Sequence, residues 1–146
     1  TDLADFDRSL NARGRSDAPR MGRLLVQDEL TPDLIVTSAA RRAATTAELI
    51  ALAAEYAGDI QYTNELYLAD PETLLDVARD TADGVARLML VGHNPGIEEL
   101  VSDLAGREER MPTAALACFR LAIEHWRDLN DETAAELLHL WRPKEL

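Results

Sequence analysis

Apolar residues recur along the first half of the chain with two spacings, which predict alternating helices and strands. After Gly14, an apolar stripe has the i, i+3, i+4 spacing of a helix face, so we expect a helix that is capped by Ser16 or Asp17 and ends near Asp28. The run LIVTS at 34–38 is short, apolar and rich in β-branched residues, which is typical of a buried strand.

The same alternation continues after this strand. Ser38 is expected to cap a long alanine-rich helix that ends near Tyr56, and IQYT at 60–63 has the alternating pattern of a half-buried strand. Pro71 is suited to the first position of another helix, with Asp70 as its cap. Helices and strands thus follow one another in the order of an α/β protein.

The second half of the chain adds one more strand and helix and then changes its pattern. An apolar run over 88–91 is followed by a tight turn and by a helix with Pro95 at its first position. The segments 114–121 and 135–141 have the character of two strands joined by a polar stretch, which predicts an antiparallel hairpin at one edge of the sheet. We predict one α/β domain over residues 1–146.

Charge and composition narrow the classes of function. The 146 residues carry 27 acidic and 15 basic side chains, a net charge of -12, so we expect no nucleic acid or anionic membrane as a partner. No apolar run approaches the roughly 20 residues of a membrane span, and the opening stretch has no apolar core of the signal-peptide kind, which predicts a cytoplasmic protein. The single cysteine, Cys118, lies in an apolar run, so we expect a buried structural thiol and no internal disulfide.

Two segments place ionisable side chains directly after predicted strands. In TSAARRAATTAEL, a spacing of four puts Ser38, Arg42 and Thr46 on one helix face, so Arg42 is expected to point back toward the strand end. In LVGHNPGIEEL, His93 lies in the turn after the strand and Asn94 can cap the next helix, whose positive dipole end then faces the same cleft. Because α/β proteins bind ligands at the carboxyl ends of their strands, these residues predict an anion site.

Structural explanations of the same residues stay open at this stage. Arg42 can be a solvated or salt-bridged arginine of its helix, as Arg41 beside it is expected to be, and His93 can bond to the backbone of its turn. The three histidines, His93, His125 and His139, lack the paired spacing of metal ligands, so we expect no metal. The sequence contains neither a nucleotide-binding glycine loop nor a hydrolase nucleophile elbow.

Three segments in order resemble motifs of the histidine phosphatase superfamily, and the resemblance covers nearly the whole chain. DFDRSLNARGRSDAPRMG is similar to the family's Asp-x-x-Arg-Pro-Leu motif, with Arg8 as the arginine and Ser9 where proline is usual. TSAARRAATTAE is similar to T-S-x-x-x-R-A-x-x-T-A and places Arg42, not Arg41, at the phosphate-binding position. VGHNPGIEEL matches the motif that carries the second catalytic histidine, here His93.

Two further segments, ELYLADPETLLD and RMPTAALACFRL, are similar to the SixA-type branch, which lacks the large inserted cap of the phosphoglycerate mutase branch. The resemblance implies a phosphoglycerate mutase-like fold, a three-layer α/β/α sandwich with a mostly parallel central sheet and an antiparallel edge. The family's first strand ends in an Arg-His pair whose histidine is the nucleophile, and this sequence contains no Arg-His pair. A native protein without this strand would leave neighbouring strands unpaired and a slot in its core, so we expect the sequence to be incomplete at its start.

The resemblance implies a phosphatase that hydrolyses phosphohistidine on proteins through a phosphohistidine enzyme intermediate. Arg42 and His93 are then catalytic, Arg8 and Asn94 bind substrate, and neither a metal nor another cofactor is required. The expected partner is a phosphorylated protein, such as a phosphotransfer domain, or a small phosphorylated substrate.

Two alternatives accompany this expectation. One is a small-molecule phosphomonoesterase on the same fold, and the other is a non-catalytic phosphate-binding relative that lacks the nucleophile. The general acid is not identified: Glu65 and Asp70 are near the expected mouth of the cleft, and Asp70 is better explained as a helix cap.

Overall fold

A computed structural model describes residues 2–146. The helices are α1 (Asp2–Phe6), α2 (Ala12–Gln27), α3 (Arg41–Ala53), α4 (Pro71–Arg79) and α5 (Gly96–Ala105). The strands are β1 (Leu34–Ser38), β2 (Ile60–Thr63), β3 (Leu88–Val91), β4 (Leu116–Leu121) and β5 (Ala135–Trp141). Short 3₁₀ turns cover Asn64–Leu66, Trp126–Asp128 and Pro143–Glu145. None of the helices in this part of the chain has the length and apolar character needed to cross a membrane.

The strands form two sheets. β1 is the central strand of a three-stranded parallel sheet in the order β2-β1-β3, in which Ile35 pairs with Ile60 on one side and with Met89 on the other. β4 and β5 form an antiparallel pair, with Leu116 opposite Trp141. The predicted α/β fold, with its parallel strands and its antiparallel pair, is confirmed.

Alternate residues of the parallel strands face opposite layers of helices, because side chains of a strand alternate between its two faces. Ile35 and Met89 pack with residues of α3, and Met89 also contacts the cluster that α2 and α3 share. Val36 and Leu90 pack with Leu74 of α4 and with residues of α5. The parallel sheet therefore lies between an α2–α3 layer and an α4–α5 layer, the arrangement that the resemblance implied.

A cavity of about 910 Å³ lies between the two sheets. Its walls include all residues of β3 and β4, together with apolar side chains of the helices such as Leu25, Leu74 and Leu100. Within residues 2–146, β3 pairs only with β1 and β4 pairs only with β5.

The start of α2 differs from the prediction. The helix begins at Ala12, and its cap is Asn11, whose Oδ1 accepts the backbone N–H of Gly14 at 2.9 Å. Ser16 and Asp17 lie inside the helix, so neither is its cap. The helix starts earlier than predicted because its buried face extends back to Gly14.

The limits of α3 also differ from the prediction. Ser38 is the last residue of β1 and does not cap the helix; the N-cap is Ala40, which makes no side-chain capping bond. The helix ends at Ala53 instead of running to Tyr56. Ser38 is a favourable residue for a helix cap, but in this fold its hydroxyl is used in another contact, which is described below.

Candidate active site

The candidate site lies where the carboxyl ends of β1 and β3 meet. These strands are parallel neighbours, with Thr37 of β1 opposite Val91 of β3. The loop after β1 leads to Arg42, and the loop after β3 carries His93. Because parallel strands end at the same edge of a sheet, this pairing brings together two segments that are far apart in the sequence.

His93 is buried at this edge, with 8% of its surface exposed. Its Nε2 lies 2.8 Å from the Oγ of Ser38, and the ring of Tyr67 packs edge-on against it with ring centres 5.4 Å apart. Burial and then the charge of Arg42 lower the pKa of His93 to about 4, while Asp5 acts in the opposite direction. The imidazole is therefore neutral at pH 7, with one ring nitrogen as a donor and the other as an acceptor.

Arg42 lies in the first turn of α3 and is held from the side of α1. Its Nη1 donates to the backbone oxygen of Asp5 at 2.8 Å, and its Nη2 donates to Oδ2 of the same residue at 3.2 Å. Its side chain is 19% exposed, whereas Arg41 beside it is an exposed residue. The two neighbouring arginines thus have different environments, and Arg42 is the one held by other residues of the site.

Asp5 connects the two arginines that the resemblance assigned to phosphate binding. Its Oδ1 lies 3.4 Å from Nη2 of Arg8, and its Oδ2 accepts hydrogen bonds from Arg42 and, at 2.5 Å, from the hydroxyl of Tyr67. The Tyr67 hydrogen bond, followed by the charges of Arg42 and Arg8, holds the pKa of Asp5 below its usual value. The carboxylate is therefore ionised at neutral pH and holds both guanidinium groups at one end of the site.

The sequence analysis assigned no role to Asp5 or Tyr67. Both lie inside segments that it compared with the family, Asp5 as the aspartate of the Asp-x-x-Arg motif and Tyr67 in ELYLADPETLLD. The aspartate that precedes Arg8 in the motif was the signal available for Asp5. Nothing local pointed to Tyr67, because its partners come from other parts of the chain: its ring contacts Phe6 and His93.

The four residues predicted for the site line one cavity: Arg8, Arg42, His93 and Asn94. Arg8 is more accessible than Arg42, with 66% of its side chain exposed against 19%. The side chain of Asn94 is hydrogen-bonded within the protein, since Oδ1 accepts the N–H of Glu98 at 3.1 Å and Nδ2 donates to the carbonyl of Met111 at 2.7 Å. The next helix begins at Gly96 with Pro95 as its N-cap residue, so the predicted positions of Pro95 as first residue and Asn94 as cap are each off by one. Asn94 still accepts a hydrogen bond from the first turn of the helix, and its role in substrate binding stays a prediction.

Gly96 allows α5 to approach the segment that carries Tyr67. A Cβ at this position would lie 1.8 Å from the carbonyl oxygen of Ala69, a distance that no side chain can accommodate without movement of the backbone. The close approach places the loop after β3 against the segment around Ala69. This contact accompanies the packing of His93 against Tyr67.

The two candidate general acids differ in their surroundings. Asp70 caps α4, as predicted, because its Oδ1 accepts the N–H of Thr73 at 2.9 Å. That hydrogen bond also holds the pKa of Asp70 below its ordinary value, so the carboxyl group is ionised at neutral pH and is a poor proton donor. Glu65 is exposed, in the 3₁₀ turn after β2.

The electrostatics of the site suit an oxyanion. Arg8 and Arg42 bring two positive charges, and neutral His93 brings a ring N–H donor. Among the described side chains, those of residues 4–146, no three of Asp, Glu, His or Cys converge in the way that metal ligands do. Guanidinium groups bind the oxygens of a phosphoryl group through paired N–H donors, so a phosphate ester or phosphoramidate is the class of ligand that these residues favour.

Comparison with known proteins agrees with this geometry. Residues 4–67 match the family model of the histidine phosphatase superfamily (branch 1). An uncharacterized protein of Mycobacterium tuberculosis is 30% identical over 144 residues, which cover 91% of this chain and 88% of that protein. A second, from Mycobacterium leprae, is 28% identical over 142 residues, covering 90% of this chain and 85% of the relative. The chain belongs to the histidine phosphatase superfamily.

Within this superfamily, the chain is of the SixA type. The structure of SixA from Agrobacterium tumefaciens matches with a TM-score of 0.79 and 29% identity, covering 95% of this chain and 86% of that one. The protein histidine phosphatase SixA complexed with tungstate also matches with a TM-score of 0.79, over 97% of this chain and 88% of that one. At 19% identity, this second likeness shows the shared fold alone.

Proposed function

We propose that this protein is a phosphatase that removes the phosphoryl group from phosphohistidine on other proteins. The observation that carries the proposal is the contact of Arg8 and Arg42 with one carboxylate, which Tyr67 connects to the buried, neutral His93 at the strand ends. Two guanidinium groups and an imidazole N–H are suitable donors to the oxygens of a phosphoryl group. The structural relative from Agrobacterium tumefaciens is named as a phosphohistidine phosphatase, which supports the same class of substrate.

The proposed reaction has two steps. A histidine nitrogen of the enzyme attacks phosphorus, the phosphorus–nitrogen bond to the substrate breaks, and the substrate imidazole takes up a proton as it leaves. Water then attacks the enzyme phosphohistidine, and inorganic phosphate and the free histidine are released. The nucleophile is taken from the resemblance, which implies a histidine of an Arg-His pair, and the remaining roles are assigned to residues of this chain.

In this proposal, Arg42 and His93 stabilise the charge that builds on the phosphoryl oxygens. Asp5 accepts hydrogen bonds from Nη1 and Nη2 of Arg42, which orients the guanidinium group and leaves its other N–H donors for the substrate. His93 donates its ring N–H to an equatorial oxygen, and Arg8 adds a second positive charge at the mouth. Positive side chains thus provide the electrostatic stabilisation of the transition state.

The preference for a protein substrate rests on the shape of the cleft. Between β2 and β3 the chain forms a 3₁₀ turn and the single helix α4, so the segment that connects them is short. A bulky phosphorylated domain can then reach Arg42 and His93. The net charge of -12 would slow encounter with acidic phosphoproteins, and the positive charges of Arg8 and Arg42 at the cleft offset this repulsion locally.

The test uses the natural full-length protein and compares its activity toward three substrates. A phosphohistidine-bearing phosphotransfer domain, a sugar phosphate and an aryl phosphate are each incubated with it, and kcat/KM is measured from phosphate release. We expect the phosphoprotein to have the highest kcat/KM. A higher value for the sugar phosphate would replace this proposal with a small-molecule phosphomonoesterase, and binding of inorganic phosphate without turnover of any substrate would indicate a binding module.

A matched pair of variants tests the site itself. Arg42→Ala removes the guanidinium held by Asp5, and Arg41→Ala removes the exposed arginine beside it on the same helix. We expect Arg42→Ala to abolish most of the activity and Arg41→Ala to retain it. Equal losses in both variants would mean that general positive charge at the rim, rather than the oriented Arg42, drives the reaction.

A further inference from the structure

The hydroxyl group of Ser38 lies in the interior beside the candidate catalytic histidine. Ser38 ends β1 and has no solvent exposure. Its Oγ accepts the backbone N–H of Ala40 at 3.2 Å and lies 2.8 Å from Nε2 of His93. Among the contacts of residues 2–146, these are the two hydrogen-bonding partners of the Ser38 hydroxyl.

The proton of this hydroxyl group determines which tautomer His93 adopts. A serine hydroxyl has one hydrogen to donate and two lone pairs that accept. If Nε2 carried the ring proton, Oγ would accept from both Ala40 and His93, and its own hydrogen would be buried without an acceptor. If Nε2 is bare, the Ser38 hydroxyl donates to it while accepting from Ala40, and both the hydroxyl group and Nε2 are satisfied.

We infer that Ser38 is a positioning residue that holds His93 as the Nδ1–H tautomer. Nε2 is then occupied within the protein as an acceptor, and Nδ1–H is the donor left for a ligand. The assignment of the tautomer stands on the hydrogen bonds alone. The further role, in which Nδ1–H donates to a phosphoryl oxygen, rests on the proposed phosphatase function.

The surroundings of the His93 ring allow Ser38 to determine its tautomer. The edge-on contact with Tyr67 restricts the orientation of the imidazole, with ring planes at 87°. Burial favours the neutral form, so that the choice between two tautomers exists at neutral pH. A histidine whose second nitrogen is fixed by a hydrogen bond presents a defined atom to its ligand, whereas a free ring can present either nitrogen.

The test is a nitrogen-15 NMR experiment on the protein without substrate, because two-bond correlations between the ring nitrogens and the carbon-bound ring protons distinguish the two tautomers. We expect the wild-type His93 to show a protonated Nδ1 and an unprotonated Nε2. Ser38→Ala removes the donor to Nε2, and we expect a mixture of tautomers or the Nε2–H form. Thr37→Val is the matched control: Thr37 is equally buried, but its hydroxyl donates to the carbonyl of Ser38, so its loss leaves the His93 pattern unchanged.

Activity provides a second readout. We expect Ser38→Ala to lower kcat by about 10- to 100-fold with little change in KM, the range seen when a residue that orients a functional histidine is lost, while Thr37→Val stays within about twofold of wild type. A wild-type spectrum with Nε2 protonated would overturn the inference, even if the Ser38→Ala protein did not fold. A protonated Nδ1 in a protein without phosphatase activity would instead contradict the proposed function and leave the tautomer assignment standing.

Discussion

The low pKa of His93 makes a quantitative prediction about acid stability. Burial and the charge of Arg42 lower this pKa from the ordinary 6.5 to about 4 in the folded protein. In the unfolded chain the imidazole regains its ordinary value and binds a proton more readily. Between these two values the unfolded state therefore binds more protons than the folded state, and acid favours unfolding.

The sign and size of the change in unfolding free energy follow from the difference between the two pKa values of His93. Above pH 6.5 the histidine is neutral in both states and has no effect on the pH dependence of stability. As pH falls from 6.5 toward 4, the free energy of unfolding decreases, and below pH 4 the whole difference is expressed. Each pKa unit corresponds to about 1.4 kcal/mol, so the full loss is about 3 kcal/mol, of which about 2 kcal/mol is expressed at pH 5.

Urea unfolding of the wild type and of His93→Gln, measured from pH 7.5 to pH 5, checks this value. Other ionisable groups titrate in both proteins, so the difference between the two curves isolates His93. We expect the wild type to lose about 2 kcal/mol more than the variant over this range. Parallel curves would refute the reasoning, because a buried neutral histidine must produce a difference.

An NMR titration of Arg42→Met, with Arg41→Met as control, adds a direct check: the pKa of His93 is expected to rise when the Arg42 charge is removed.

The remaining predictions concern the site and the packing around it. Arg42→Ala and His93→Ala should each lose about 2.7 to 4 kcal/mol of transition-state stabilisation, measured as kcat/KM on the phosphoprotein, because each removes a donor to the developing oxyanion. Unchanged kcat/KM in both would remove these residues from the mechanism. Activity should survive EDTA, since arginines and a histidine supply the electrostatics; its loss, with recovery on adding a divalent metal, would contradict this. Gly96→Ala should lower the free energy of unfolding by about 1 to 3 kcal/mol or more, because its Cβ would meet the Ala69 carbonyl, whereas Gly84→Ala, where a Cβ meets no atom within 4 Å, should not show this loss; equal urea midpoints would argue against the close packing. Asp70→Ala should cost about 1 kcal/mol through the lost cap of α4, and an unchanged urea midpoint would count against that cap.

Features with a local cause could be predicted from the sequence. The pair Asp70 and Pro71 marks the start of α4, because a cap and a first-position proline act within one turn of the chain. LIVTS became β1 for a similarly local reason, since β-branched residues fit a buried strand. The prediction of where α2 begins was wrong because Asn11, Ser16 and Asp17 are all residue types that cap helices. Only the packing of the longer helix decided between them.

Contacts between distant segments could not be predicted in the same way. Asp5, Ser38 and Tyr67 lie in segments that resemble family motifs. The resemblance did not indicate which residues they contact. Ser38 even had a plausible local role as a helix cap, which the structure replaces with the contact to His93. A polar side chain can satisfy its hydrogen bonds in several ways, and the neighbours that the fold supplies determine which of them it adopts.

The sequence by itself determined the order of helices and strands and the motifs that carry Arg8, Arg42 and His93, because these patterns are repeated or read within a few residues. Only the tertiary structure decided that Ser38 meets His93, 55 positions away, and that Asp5 holds Arg42, 37 positions away. The physical reason is the register of β1 against β3 and the position of Asp5 beside the first turn of α3. Both depend on packing many side chains at once, and such packing leaves no local pattern in the chain.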